Sequence, residues 1–319
     1  MRVLFIQNFL HEKNLHALMK YGFDIDTKSQ GTDLHSLDLS IYDVVYNPSQ
    51  PYPTKEYPNI RFIFGPHFSV FPQKYQMDLI RTSNAVYTQP SQWACDTWKN
   101  TQNCSMENVT MKVLPFGVDT DKFQPEIPIT MRETIFVYHK RRNPPELDRV
   151  CNFLKTKGWN FRVFDYVCGY SENEYIQHLT KSKFGVWVGA HESQGFALQE
   201  ALSCDVPLLV WTVTSLNQEV GSNYEDIPAT SISYWDHRCG EYFTHESELE
   251  TTYDRFILNL ENYRPRDFVL ENLSIEKCAQ KFIQIVNDIP VSESHSIPKL
   301  PCTSNNFFSQ MMFTGNFTV

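Results

Sequence analysis

A chain of 319 residues with 41% hydrophobic content carries enough apolar material for two domains of ordinary size. Its formal charge of -9 and pI near 5.6 exclude a general binder of nucleic acid or of anionic membrane, so any anion must be held by a local cluster of cations. Eight cysteines without a C-x-x-C pair or a close His/Cys grouping indicate neither a zinc site nor a disulfide framework, and reduced cytoplasmic thiols are the expectation.

The opening MRVLFIQNFLHEKN has an apolar run too short for a signal peptide or anchor, and no later stretch has the length of a spanning helix. The chain therefore reads as soluble, with no integral membrane segment. VLFI (3–6), DVVYN (43–47), RFIFG (61–65), AVYTQ (85–89) and KVLPFG (112–117) are short β-branched and aromatic runs ended by Gly, Pro or Asn, as buried parallel strands are. Helix-length segments such as LHALMKYG and SQWACDTWKN lie between them, which predicts an α/β domain with crossover connections.

The pattern then restarts. TIFVYHK (134–140), NFRVFDY, FGVWVGA, PLLVWT (207–212) and SISYW (231–235) read as strands, and PELDRVCNFLKTKG, NEYIQHLTKS and the segments 246–262 and 274–288 as helices. The proline-bearing DTDKFQPEIPITMRE marks the boundary, so a first Rossmann-like domain spans 1–120 and a second 121–273, with 274–319 adding a last helix and a polar tail that docks on the surface or stays partly mobile.

Two doubly wound domains facing one another form a cleft at the carboxyl ends of their strands. HESQGFALQEALS follows such an end. Gly195 lets the backbone approach a ligand closely, free amides at the helix start attract phosphate, Glu192 on the loop accepts hydrogen bonds from hydroxyls, and Glu200 in the helix grips a vicinal diol with its two oxygens. Two glutamates at this spacing are, by themselves, most often a solvated helix face; the glycine and the flanking strands favour a nucleotide-sugar site.

The spacing E-x7-E from Glu192 to Glu200, with Gly195-Phe196 inside, resembles the donor motif of retaining GT-B glycosyltransferases of the family 4 type. LPFGVDTDKFQP (114–125) is similar to their interdomain turn, and AVYTQPSQWACDTW (85–98) resembles a strand and helix late in their first domain. The resemblance implies two Rossmann-like domains, a last helix crossing back to the first, and transfer of a sugar with retention from a GDP- or UDP-linked nucleotide sugar to a hydroxyl acceptor on a glycan, lipid or protein-linked sugar. It further implies a pyrophosphate bound by cations from YHKRRNPP. Of Lys140, Arg141 and Arg142, the first and last are favoured because alternate residues of an extended segment share a face. The family's G-R-L-x-x-x-K spacing is absent, and QNFLHE replaces its glycine-rich first loop.

The expected site thus comprises Glu192, Lys140 and Arg142 as catalytic groups and Glu200, Gln194, Gly195, Phe196, Tyr138 and His67 at the donor, with no metal and no cofactor beyond the nucleotide sugar. His191 reads as an orienting neighbour and Ser91 as a helix N-cap. The pairs Asp24/Asp26 and Asp119/Asp121 have the D-x-D form of a metal-bound diphosphate site, but the second belongs to a turn. A nucleotide-sugar epimerase and a non-catalytic binding module are the alternatives.

Overall fold

The computed structural model describes residues 1–67, 73–100 and 106–292. The first part of the chain runs β1 (Arg2–Gln7), α1 (Glu12–Met19), β2 (Asp24–Ser29), β3 (Val44–Asn47), β4 (Phe62–Phe64), α2 (Lys74–Ile80), β5 (Ala85–Gln89), α3 (Gln92–Asn100) and β6 (Thr110–Val113). Its strands form one parallel sheet in the order β2-β1-β3-β4-β5-β6. Helices cover both faces, so β1 is apolar on both. Val3 and Phe5 pack under α1, whereas Leu4 and Ile6 pack with Met77 of α2 and Trp98 of α3. β2 carries the polar sequence DIDTKS, which hides it from an apolar-pattern reading; it is an edge strand paired on one side to β1.

The second part runs β7 (Thr134–Lys140), α4 (Pro144–Thr156), β8 (Phe161–Asp165), α5 (Glu172–Leu179), β9 (Ser182–Gly189), α6 (Phe196–Ser203), β10 (Leu208–Trp211), β11 (Gly240–Phe243), α7 (Leu249–Leu258), α8 (Pro265–Asn272) and α9 (Ile275–Asp288). These strands form a second parallel sheet in the order β11-β10-β9-β7-β8. The molecule is thus an α/β protein of two parallel, doubly wound sheets. Among the described residues, no helix is long and apolar enough to cross a membrane.

SISYW is not a strand. Its polar side chains turn instead toward neighbouring carbonyls, Ser231 Oγ donating to Gly189 and the Tyr234 hydroxyl to Pro90, and the last strand of the sheet is the following GEYF. The segment 246–262 is a ten-residue α7 between two short 3-10 turns. The tail beyond Ser292 lies outside the described residues.

The chain passes from one sheet to the other at Gly117 and returns beside the same point. Gly117 has φ +88°, and a β-carbon there would sit 2.9 Å from Ile275 Cα. The amide of Val118 donates to the Leu273 carbonyl at 2.8 Å. From this crossing α9 lays Ile275, Cys278, Ala279, Phe282, Ile285 and Val286, spaced for one helical face, onto Val3, Phe5 and Tyr46 of the first sheet.

Candidate functional site

In each sheet the strand order reverses at one place, between β1 and β3 in the first and between β7 and β9 in the second. Ligand crevices in open α/β sheets form outside the carboxyl ends of the strands at such points, because the loops there diverge to opposite faces. Both reversal points border one cleft of about 1160 Å³, lined from the first sheet by residues including Phe9, His11, Lys13 and His67, and from the second by Lys140 and the loop 191–196.

Lys140 is the last residue of β7, and Glu192 follows β9 by three residues. The Lys140 ammonium donates to both Glu192 oxygens at 2.9 Å and stands 4.8 Å from the centroid of the Tyr166 ring. The chain then reaches Gly195 in the left-handed region (φ +76°, ψ 46°), which caps α6. A β-carbon there would make only ordinary contact with Glu192, so the requirement for glycine is conformational rather than steric. The side chain of Gln194 holds this loop to the interdomain turn, its Oε1 accepting from the Phe116 amide at 3.2 Å, while its Nε2 donates to Gln199 at 3.1 Å. The first amides of α6 have no intrahelical acceptor and begin at the cleft. Above them the ring of Phe196 stacks on that of His11, with centroids 5.7 Å apart.

Glu200, one turn further, is buried with its side chain 3% exposed. It accepts a hydrogen bond from Lys13, a residue of the first turn of α1 in the other half of the molecule. Lys13 also lies 3.1 Å from Glu172, whose second oxygen accepts from Lys122. Burial raises the Glu200 pKa against the pull of Lys13. For Lys13 itself burial works downward, but the two carboxylates outweigh it and the amine is held charged. Sequence reasoning missed Lys13. Its signal was its place, as the cation closest behind the first strand at the start of a helix.

Tyr138 lies beneath the cleft, stacked on Trp187 with centroids 3.9 Å apart; its hydroxyl accepts from Tyr170 at 3.3 Å, and burial holds its pKa far above the ordinary phenol value. His67 enters from the first sheet, edge-on to Phe9, with its Nε2 3.5 Å from the Asn14 amide. Burial, reinforced by nearby His11, lowers its pKa to about 4. Trp93 of α3 also crosses the cleft, donating to the Glu192 carbonyl at 3.0 Å and to Ser233 at 2.9 Å. His191 sits between the Trp93 and Tyr224 rings with its Nδ1 3.0 Å from a Glu219 carboxylate oxygen, and burial lowers its pKa.

The structure corrects the expectation for Arg142. β7 ends at Lys140 and Arg141 adopts φ +50°, so the run is not extended and the alternation of faces fails. Arg142 points into the protein, 1% exposed, forking onto Glu146 at 2.7 and 2.9 Å and donating to the carbonyls of Gly189 and Trp211. Arg141 pairs with Glu219. Of the three cations, Lys140 alone lines the cleft. One aspartate of each D-x-D pair already has a partner: Asp26 accepts from Tyr42, and Asp119, at the wall of the cleft, accepts from Lys20 at 2.7 Å beside His16. Among the described residues no group of three His, Cys, Asp or Glu side chains is disposed to hold a metal.

No family model matches the chain, and no curated protein matches it in sequence. Among solved structures, the chain is similar at 13% identity, over 91% of its own length and 88% of the other, to the ligand-free, open structure of CD0873, a substrate-binding protein with adhesive properties from Clostridium difficile. The TM-score is 0.20, too low to carry an argument about fold or function.

Proposed function

We propose that the protein is a retaining glycosyltransferase of GT-B arrangement that moves a sugar from a GDP- or UDP-linked nucleotide sugar to a hydroxyl acceptor without a metal. The observation that carries this reading is the convergence of Lys140, Glu192, the Gly195 turn and Glu200 in one cleft at the reversal points of two parallel sheets.

In this reading the diphosphate lies over the start of α6, where the amides and the positive end of the helix favour negative charge. Lys140, placed at the end of β7, neutralises the charge that grows on the phosphate as its bond to the anomeric carbon breaks, giving up its contact with Glu192 as that carboxylate turns to the sugar. Glu200 takes the ribose hydroxyls and Glu192 orients the sugar. The acceptor oxygen bonds to the anomeric carbon on the face the phosphate leaves, and its proton passes to the departing phosphate oxygen. Glu192 is then not the nucleophile of a retaining hydrolase.

A panel of GDP- and UDP-sugars tests the proposal, read first by thermal stabilisation and then by release of the free nucleotide with and without EDTA. One donor should raise the melting temperature by mass action and be slowly hydrolysed, with hydrolysis lost in Glu192→Ala and unaffected by EDTA. Stabilisation without any turnover, even with acceptors supplied, would make the protein a binding module. No response to any donor would remove the proposal.

A further inference from the structure

Every lysine among the described residues lining the cleft is already paired with a carboxylate: Lys140 with Glu192, Lys122 with Glu172, and Lys13 with both Glu172 and Glu200. A diphosphate entering the cleft therefore meets no lysine whose charge is unanswered. Nor does a diol meet a free Glu200, whose deeply buried carboxylate is already neutralised. Pulling one partner from such a pair leaves a buried charge uncompensated, which is costly. A ligand that replaces both partners at once avoids that cost.

We infer that Lys13 and Glu200 form an exchangeable pair, opened by a ligand that carries vicinal hydroxyls and a diphosphate in one molecule: the hydroxyls take the Glu200 oxygens and the diphosphate takes the Lys13 ammonium. The inference rests on the nucleotide-sugar reading above and adds to it a cation supplied by the first half of the molecule. Lys13 is suited to the exchange. It stands on a four-carbon stem, 27% exposed, at the mouth of α1, where His11 Nδ1 accepts from its own amide. Its second anchor, Glu172, is 40% exposed and keeps Lys122 as a partner, so that carboxylate is not left uncompensated when Lys13 leaves it. Because each exchanged group finds a new partner, a nucleoside alone or inorganic diphosphate alone leaves one charge bare and binds far more weakly than the two joined.

Calorimetry on the full chain with UDP and GDP decides the matter, using the wild type, Lys13→Met, Lys13→Arg and Glu172→Gln. For the nucleotide that the wild type binds, Lys13→Met should lose about 10- to 150-fold in affinity, the range for a charged hydrogen bond removed, and Lys13→Arg should stay within about 5-fold. Glu172→Gln should bind about 2- to 5-fold more tightly, because the ammonium then leaves one carboxylate instead of two. Because Glu172→Gln also frees Lys122, the tightening counts for the exchange only where it disappears when Lys13→Met is added, a result that a merely structural tie would not produce. If Lys13→Met folds poorly, Lys13→Arg and Glu172→Gln carry the test: unchanged or weaker binding by Glu172→Gln overturns the exchange. Wild-type affinity in Lys13→Met overturns it as well. Failure of the wild type to bind either nucleotide, or any nucleotide sugar, sinks the functional reading, and the exchange with it.

Discussion

Lys140 ends one, and Glu192 closely follows the other, of the two strands between which the second sheet reverses its order, and the Lys140 ammonium lies 2.9 Å from both carboxylate oxygens of Glu192. Two residues beyond Lys140, Arg142 is turned the opposite way and locked among carbonyls. Neighbouring cations of the same short run thus serve different ends, and substitution separates them. Lys140→Ala should lower turnover of the proposed nucleotide-sugar donor by about 10²- to 10³-fold, the range for removing one charge-stabilising group, and should also lower the melting temperature, because Glu192, 11% exposed, loses its partner. Arg142→Ala should leave the activity of the folded fraction intact while destabilising the fold by about 3 kcal/mol, because Glu146 and two buried carbonyls lose their partner. Steady-state kinetics beside urea denaturation checks both.

His67 makes stability depend on acid in a defined window. Its folded-state pKa, about 4, lies below the ordinary value of 6.5, so the unfolded chain takes up the proton more readily. The penalty is absent above pH 6.5, grows as pH falls toward 4, and reaches the order of 3 kcal/mol below that. Asp119, lowered to about 2 by Lys20 and His16 against the effect of burial, loses its contribution below the ordinary aspartate range, largely outside this window. His67→Gln should therefore lose less stability than the wild type between pH 7 and pH 4.5. Parallel denaturation curves with equal losses would show that His67 titrates normally.

Gly195 and Gly117 are both left-handed, for different reasons. At Gly195 a β-carbon meets nothing closer than 3.4 Å, so Gly195→Ala should cost only the conformational strain, about 1 kcal/mol, and Gly195→Asn less. At Gly117 the added carbon also strikes the backbone of Ile275 at 2.9 Å, where the two crossings between sheets touch. Gly117→Ala should be the more damaging of the two by at least about 1 kcal/mol, as measured by chemical denaturation.

Phe282 tests where α9 belongs. It is fully buried, near Tyr21, Phe23 and Tyr46, all in the first half of the chain. Phe282→Ala should cost about 3–5 kcal/mol, and hydrogen exchange should show the loss of protection in β1 and β3 rather than in β7 and β9.

The alternation of strand and helix and the two parallel sheets were legible because strands covered on both faces are continuous apolar runs, such as VLFI and FGVWVGA, and stand out from helices of mixed composition. The edge strand β2 was not legible, since its polar residues face water and leave no alternation to read. SISYW misled for the converse reason: its β-forming composition reflects side chains that clasp carbonyls of the cleft rather than a ladder. β11, a four-residue GEYF, was too short to outweigh it.

By itself the sequence determined the local chemistry around residue 195: an acid on a loop, a glycine free to take positive φ, a helix with a second acid within it, and a lysine ending the preceding strand pair. Those depend on neighbours a few residues apart and on strand ends, which local pattern governs. Only the tertiary structure decided which cations face the cleft, because one left-handed residue at Arg141 rotates everything after it, and that Glu200 is met by Lys13, 187 positions away in the chain. A contact of that span is set by how two sheets pack, and no periodicity in a single segment records it.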